Sequence, residues 1–325
     1  MTITPHRTTI VLKMKLLSII IILLICFPYF FAACEEQPLP TETPQMPTPA
    51  PTPTEEQPPP TETPQTPTPT PTPTEAELKV HFIDVGQGDS ILIDHGENEV
   101  LIDGGDKQPG VVPYLNKYVD GALEVIVATH PHDDHIGGLI AVLDAFQVKE
   151  IWHNGEQLSS NTCDEFMSGV EMENAEVHLG RRGDNINIGE LTFTILNPIN
   201  LEGTTNNNSI VMTLSYGTVD FLFTGDAERE AEAAMLMASD IPVPNVEILK
   251  VCYHGSRLAS SKDFLAVTSP EVAIYMAGEG NRWGLPNEET IKALKEIGAD
   301  IYGTDVHGNV VVTTDGEEYT LLFER

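Results

Sequence analysis

From residue 77 onward the chain alternates between short apolar runs of strand period and longer stretches of helical period. Leu78–Asp84 (LKVHFID), Ser90–Asp94 and Glu99–Asp103 read as three short strands separated by Gly-rich turns. Pro109–Val119 predicts a helix, and Glu124–Thr129 (EVIVAT) a strand that runs straight into His130. Ile136–Phe146 repeats its apolar residues at helical spacing, and Val148–His153 returns to strand. Leu191–Leu196, Ser209–Tyr216 and Val219–Thr224 alternate like antiparallel strands. Ala227–Ser239, rich in Ala, Glu and Met, predicts a helix, followed by a strand at Val246–Tyr253 that ends on His254. Val272–Met276, Glu288–Ile297 and Val306–Thr313 continue the alternation. Strands interleaved with helices predict an α/β layered domain over 77–325, whose 249 residues suffice for one core.

Upstream the pattern changes. Lys13 and Lys15 precede Leu16–Ala33, an almost unbroken apolar run that ends Phe31-Ala32-Ala33-Cys34. A basic start, an apolar middle and small residues before a cleavage point describe an export signal over 1–33. Small residues before a cysteine also resemble a bacterial-type lipobox, which implies that Cys34 is lipidated and becomes the mature N-terminus. Phe31 departs from the aliphatic residue usual three before that cysteine. The other reading is an uncleaved anchor, since 18 apolar residues approach spanning length. Either way the domain is expected to be extracytoplasmic and held at a membrane.

Residues 34–76 are a Pro/Thr-rich linker, in which 35–54 recurs as 55–74 with changes only at Leu39/Pro59, Met46/Thr66 and Ala50/Thr70. Proline fixes φ and removes backbone donors, so polyproline II is expected rather than a folding repeat. At ~3.1 Å per residue, forty such residues reach on the order of 120 Å, a stalk for the domain.

Net charge is −32, and with three bases in 1–33 and seven glutamates in 34–76 the domain itself carries −28. Such a field repels polyanions and argues against tight, sequence-independent nucleic-acid binding, which needs Lys and Arg against phosphates. A nuclease stays compatible, because metal ions offset local charge. Of four cysteines, only Cys163 and Cys252 lie in the domain, and no Cys-x-x-Cys pair is present, so a zinc ribbon is excluded.

The strongest chemical signal is Thr129-His130-Pro131-His132-Asp133-Asp134-His135-Ile136-Gly137-Gly138. Three His and two Asp fall within six residues at a strand-to-helix junction, where a loop can aim several side chains at one point. Imidazole with carboxylate suits Zn²⁺ or Mn²⁺.

This segment resembles the His-x-His-x-Asp-His motif of the metallo-β-lactamase superfamily, followed by its usual Gly-Gly. The resemblance implies an αββα four-layer sandwich. It implies that His130 and His132 hold one metal and Asp134 and His135 a second, with Asp133 the variable position. Asp103 in Leu101–Gly105 resembles the Asp that braces the metal loop. Asp226 in Leu222–Asp226 resembles the metal-bridging Asp, and His254 in Tyr253–Ser256 the last His ligand. His81–Ser90 (HFIDVGQGDS) is similar to the signature of the C-terminal domain of ComEC-type competence proteins. Asn206–Ser209 and Thr304–Gly308 also resemble blocks of that subgroup. The resemblance covers essentially all of 77–325 and lacks the subgroup's multi-span channel. Three positions depart from it. Tyr253 stands where the subgroup has His, Leu285 stands in place of the His of Gly-His-Pro, and no well-placed His lies between the metal loop and Asp226. His153 and His178 are the candidates there, and the Asn206–Ser209 block is the alternative occupant, so one or two metals are both open.

The implied activity is metal-dependent hydrolysis, in which a metal lowers the pKa of bound water from 15.7 to about 7. Asp134 or Asp226 would orient that water. Asp84, Gln87, Asp89, Ser90, Asn206, Tyr253 and Ser256 are candidates for substrate contact or for bracing the ligands, with Asp103. The favoured substrate is a phosphodiester, in DNA or nucleotides, with Lys250, Arg257 and Lys262 as candidate phosphate contacts near His254. The alternatives are carbonyl hydrolysis of a lactone or β-lactam, and a non-catalytic surface domain that binds a polymer or partner.

Overall fold

The computed structural model describes residues 8–10 and 77–325. The rest of the leader, Cys34 and the duplicated Pro/Thr stretch lie outside the described residues. In chain order the strands are β1 (Thr8–Ile10), β2 (Leu78–Phe82), β3 (Ile91–His95), β4 (Asn98–Ile102), β5 (Leu123–Ala128), β6 (Val148–His153), β7 (Glu176–Leu179) and β8 (Asn185–Ile188). They continue as β9 (Leu191–Asn197), β10 (Val211–Tyr216), β11 (Val219–Phe223), β12 (Ile248–Lys250), β13 (Val272–Tyr275), β14 (Asp300–Gly303), β15 (Val310–Thr314) and β16 (Tyr319–Phe323). The helices are α1 (Val112–Leu115), α2 (Asp133–Ala145), α3 (Asn161–Met172), α4 (Arg229–Met237), α5 (Lys262–Thr268), α6 (Glu288–Glu296) and α7 (Thr304–His307). Among these described residues, no helix is long and apolar enough to cross a membrane.

Two sheets form, ordered β1-β16-β15-β2-β3-β4-β5-β6-β7 and β14-β13-β12-β11-β10-β9-β8. Strands β4 to β7 pair in parallel, as do β11 to β14. Parallel neighbours need crossovers, and α1 to α6 lie in them. Three apolar clusters then define the layers. Phe82, Ile93, Val125, Phe193, Phe221 and Phe223 belong to the cluster between the sheets. Leu101, Ile126, Ile136 and Leu139 pack the first sheet against α2 and α3. Leu222, Leu249, Ala231 and Phe264 pack the second against α4 and α5. Three apolar interfaces separate four layers, so the fold is an αββα sandwich. A fully buried side chain of this kind contributes on the order of 1.5–3 kcal/mol, against about 0–1 for a surface ion pair, so layer packing outweighs the charge pairs of this acidic surface.

Strand period two decides each face. On β2, Leu78, Val80 and Phe82 enter the inter-sheet core while His81 points the other way. His81 Nδ1 lies 2.9 Å from the Tyr114 hydroxyl and its ring sits edge-on to Tyr118 at 4.6 Å. Burial, helped by the Lys79 charge, pushes its pKa down to about 4 from 6.5. The unfolded chain therefore binds a proton that the folded one refuses, and stability falls as pH drops from about 6.5 to about 4 and levels off below. At about 1.4 kcal/mol per unit the span is worth about 3 kcal/mol at most. Urea midpoints measured across that range should fall less steeply in His81→Gln than in the native protein, and identical pH slopes would contradict this account.

Several boundaries differ from the sequence expectation. Of Pro109–Val119 only Val112–Leu115 is helical, with Val119 still bonding back to Leu115 by its N–H. Val306–Thr313 splits into the α7 turn and β15, because Gly308 takes φ +67° between them. Helix α3 has no counterpart among the elements expected from the sequence, although Ser160 caps it through Cys163 N–H at 3.1 Å and Cys163, Phe166 and Val170 repeat at helical spacing.

Candidate metal centre

The cluster assembles where parallel strands end. Asp103 follows β4, His130 follows β5, Asp226 follows β11, and His254 follows β12. Carboxyl ends of parallel strands are the standard ligand position of open α/β sheets. His132 is the N-cap of α2, so Asp133 and Asp134 occupy the first turn, where the helix dipole favours negative charge. The Gly137-Gly138 pair lets α2 abut the preceding loop: a Cβ on Gly138 would stand 2.0 Å from Gly104 O. Gly88 is equally tight, since its Cβ would meet Asp134 O at 2.0 Å.

Asp103 braces the metal loop. Its carboxylate accepts from Thr129 N–H at 2.8 Å and from the Thr129 hydroxyl at 2.7 Å, and it accepts from His135 Nδ1 at 2.8 Å. It does so at φ +56°, a conformation costing of order 1–3 kcal/mol outside glycine. Ser90 supports the same turn by donating to Asp103 O at 3.1 Å.

These contacts fix the tautomers. His135 gives its Nδ1 proton to Asp103, and His254 gives its Nδ1 proton to Met276 O at 2.9 Å. The Thr129 hydroxyl proton is committed to Asp103, so that oxygen accepts from His130 Nδ1 at 3.1 Å. All three rings therefore turn Nε2 lone pairs toward Asp226. His135 Nε2 is 3.4 Å from Asp226 Oδ1, while His254 Nε2 and His130 Nε2 are 3.3 Å and 3.9 Å from Asp226 Oδ2. Asp134 lies 3.5 Å from His254 Nε2 and 4.0 Å from His135 Nε2. His132 Nδ1 lies 2.9 Å from His130 Nε2.

Two donor groups result, His130–His132–Asp226 and Asp226–His135–His254, with Asp226 common to both. Asp134 borders the second. Asp89 also comes within reach, but its charge is already matched: Lys250, fully buried, pairs with one oxygen, and the other faces His254 Nδ1 at 3.2 Å. It is better read as a brace of His254 than as a ligand.

The donors fit a divalent cation. His135 Nε2, His254 Nε2 and Asp226 Oδ1 are buried without a hydrogen-bond partner, and such groups are costly unless something joins them. Burial lowers the basicity of His135 and His254, but Asp226 outweighs it and holds both well above the ordinary range. Burial likewise raises Asp226, yet the same imidazoles hold it well below the usual carboxylate range. The pocket thus demands positive charge, as protons or as a cation that displaces them. The set of imidazole and carboxylate donors accepts one or two such ions. The His130–His132 group gains no third imidazole. His153 Nδ1 accepts from Gly155 N–H at 3.2 Å, and His178 stacks on Trp152 at 4.4 Å. Ser209 braces His130 from its other nitrogen, its hydroxyl 3.3 Å from His130 Nδ1 and 3.1 Å from the Asp226 N–H it accepts.

A cleft of about 440 Å³ opens over the cluster, lined by His132, Asp134, Asp226, His254 and by Gln87, Tyr253 and Ser256. Gln87 ties its loop to the opposite wall by accepting from Gly278 N–H at 3.3 Å. Tyr253 and His254 both take left-handed φ, 47° and 52°, a strained turn that swings His254 inward. Asn206 is buried and donates to Glu228 at 3.1 Å. Asp84 does not line the cleft. Its carboxylate accepts from Gly86 N–H at 3.1 Å and pairs with Arg325 at 2.6 Å. Lys250 is no phosphate contact because it is sealed against Asp89, and Lys262 is an exposed residue 3.8 Å from Glu296. Of the three bases, only Arg257 lines the cleft. The sequence reading missed Trp283, Leu258 and Asn287, which also line it.

A metal-dependent hydrolase is the class that this fold and donor set define. Residues 83–279 match the metallo-beta-lactamase superfamily, and the chain belongs to it. Within it, the chain is 27% identical over 256 residues to ComE operon protein 3 of Bacillus subtilis, covering 72% of this chain and 33% of that protein. It is 28% identical over 236 residues to competence protein ComA of Neisseria gonorrhoeae, covering 71% of this chain and 32% of the relative. Both are ComEC-type competence proteins, and the chain spans about a third of their length. Among solved structures it resembles the metallo-beta-lactamase fold protein YhfI from Bacillus subtilis, at 13% identity and TM-score 0.48, over 69% of this chain and 96% of that one.

Proposed function

We propose that this protein is an exported phosphodiesterase, acting on DNA or nucleotides outside the membrane. The observation that carries the reading is Asp226, common to two donor groups that together suit two cations. Zn²⁺ or Mn²⁺ held by His130, His132 and Asp226, and by Asp226, Asp134, His135 and His254, would supply Lewis acidity and a lower pKa for water, and a two-cation site clamps the oxygens of an in-line displacement. The names of the relatives, competence proteins and a recombination protein of Haemophilus influenzae, agree with a nucleic-acid substrate. The apolar leader and the Pro/Thr stretch, with Cys34 as the lipidated residue, support export and tethering.

The chain's own groups have separable roles. Of the two cluster carboxylates that line the cleft, Asp134 is the more open, 27% exposed against 3% for Asp226. Burial would raise its pKa, but the neighbouring imidazoles of His254 and His135 outweigh burial and keep it ionised, so it can accept from the attacking water and orient it. Tyr253 is held above its ordinary pKa by burial and stays protonated, a donor to a phosphoryl oxygen. Arg257 places positive charge on the rim. In the reaction the water oxygen bonds to phosphorus, the bond to the departing oxygen breaks, and that oxygen takes up the proton that water loses.

The test is turnover of bis(p-nitrophenyl) phosphate and single-stranded oligonucleotide by the full chain. Chelation should abolish it and Mn²⁺ or Zn²⁺ should restore it, with Asp134→Ala lowering kcat by about a hundredfold or more. Turnover of lactones or β-lactams with none of diesters, or diester turnover unchanged in Asp134→Ala, would overturn the reading.

A further inference from the structure

The cleft is lined by imidazoles and carboxylates and also by an exposed indole. Trp283 is 51% exposed and Leu258 53%, although both line the same cleft as Asp226. Large apolar groups left in solvent beside a reactive centre mark a contact surface. Arg282 covers one face of the indole, its guanidinium 4.3 Å from the ring centroid. Arg182 and Arg325 are paired with carboxylates, whereas Arg257 and Arg282 have no ion pair among the described residues. The ring thus carries one guanidinium on its face, and Arg257 lines the same cleft of a strongly acidic domain.

The segment that presents Trp283 is held rigid. Asn281 donates to Gly278 O at 2.9 Å and to Leu285 O at 2.6 Å, and accepts from Leu285 N–H at 3.0 Å. Asn287 accepts from Arg257 N–H at 2.8 Å, and its own N–H bonds Gly255 O at 2.9 Å, next to His254. Arg229 fixes the other side by donating to Arg257 O at 2.7 Å. The backbone that carries Trp283 and Arg257 is thereby held next to His254 before anything binds, which lowers the ordering cost of a ligand.

We propose that Trp283 and Arg257 form a nucleoside-phosphate subsite, in which Trp283 stacks an unpaired base next to the scissile diester and Arg257 holds the adjoining phosphate. The proposal rests on the phosphodiesterase reading and names its substrate class: single strands or strand ends, not duplex. A base can lie on an exposed ring only when it is out of a duplex, and stacking tolerates any base. Duplex binding without sequence preference needs a track of Lys and Arg along the protein, and a domain of charge −28 whose cleft is lined by one such residue, Arg257, offers only a short one.

The test is a binding titration of the full chain, loaded with Mn²⁺, against oligothymidylate and an abasic strand of equal length, both with uncleavable linkages. The chain has two tryptophans, and Trp152 is only 8% exposed, so quenching of emission reports Trp283. Oligothymidylate should quench and bind ten- to a hundredfold more tightly than the abasic strand. Trp283→Ala should bring that preference to parity, and Trp283→Phe should retain much of it. Arg257→Ala should weaken both strands alike and flatten the salt dependence. Equal binding of the two strands by the native protein, or a preference that survives Trp283→Ala, would overturn the subsite. Base-dependent binding in a protein that turns over no diester would overturn the phosphodiesterase reading and leave the subsite standing. Diester turnover without base preference would do the reverse.

Discussion

Asp226→Asn is expected to abolish divalent-metal binding and, on the proposed phosphodiesterase activity, to lower diester turnover by about a thousandfold, or about 4 kcal/mol of barrier. The size of the effect follows from its position. One oxygen faces His135 and the other faces both His254 and His130, so a single carboxylate joins the two donor groups. The amide has nearly the same shape but carries no charge, so it cannot neutralise cations on both sides. Its NH2 group would also point a donor where a lone pair is required. The backbone should hold, because Asp226 N–H bonds Ser209 and the preceding strand β11 pairs on both sides. Elemental analysis of the purified variant beside the native protein reads the metal directly. A variant that keeps both its metal and its turnover would remove Asp226 from the proposed mechanism.

The second large effect concerns stability. Lys250 and Asp89 are each 1% exposed and paired with one another, 161 residues apart in sequence. Burial alone would push the Asp89 carboxyl up, but Lys250 and then His254 hold it ionised. Lys250→Met leaves that carboxylate buried without its countercharge, which costs about 3–5 kcal/mol. Asp89→Asn added to it restores much of the loss, since neither charge is then stranded. Urea denaturation of both variants measures the difference. A single variant as stable as the native protein would show that the pair is not what holds this junction between β12 and the 84–90 turn. Because Asp89 also faces His254, the double variant should regain stability without regaining full turnover.

The metal loop was legible because its donors are contiguous. His130, His132, Asp134 and His135 span six residues, and a strand running into a helix leaves them little freedom except to converge. Asp103, Asp226 and His254 were legible only through resemblance, each being a single residue at a strand end. The layer architecture was legible from alternating runs such as Leu78–Phe82, where period two separates Val80 in the core from His81 on the other face. Short or local departures were not. Helix α7 occupies four residues before a glycine of positive φ, too few to impose a period.

By itself the sequence determined the donor chemistry of the metal loop and an α/β layered domain, because these depend on residue type and on spacing along one segment, while the αββα order and the strand-end residues Asp103, Asp226 and His254 followed from resemblance. Only the tertiary structure decided which nitrogen each histidine presents, that Lys250 neutralises Asp89 rather than meeting substrate, and that Trp283 shares a cleft with Asp226. Those outcomes are distances between groups tens to hundreds of residues apart, set by how two sheets and their helices pack, and no local pattern encodes them.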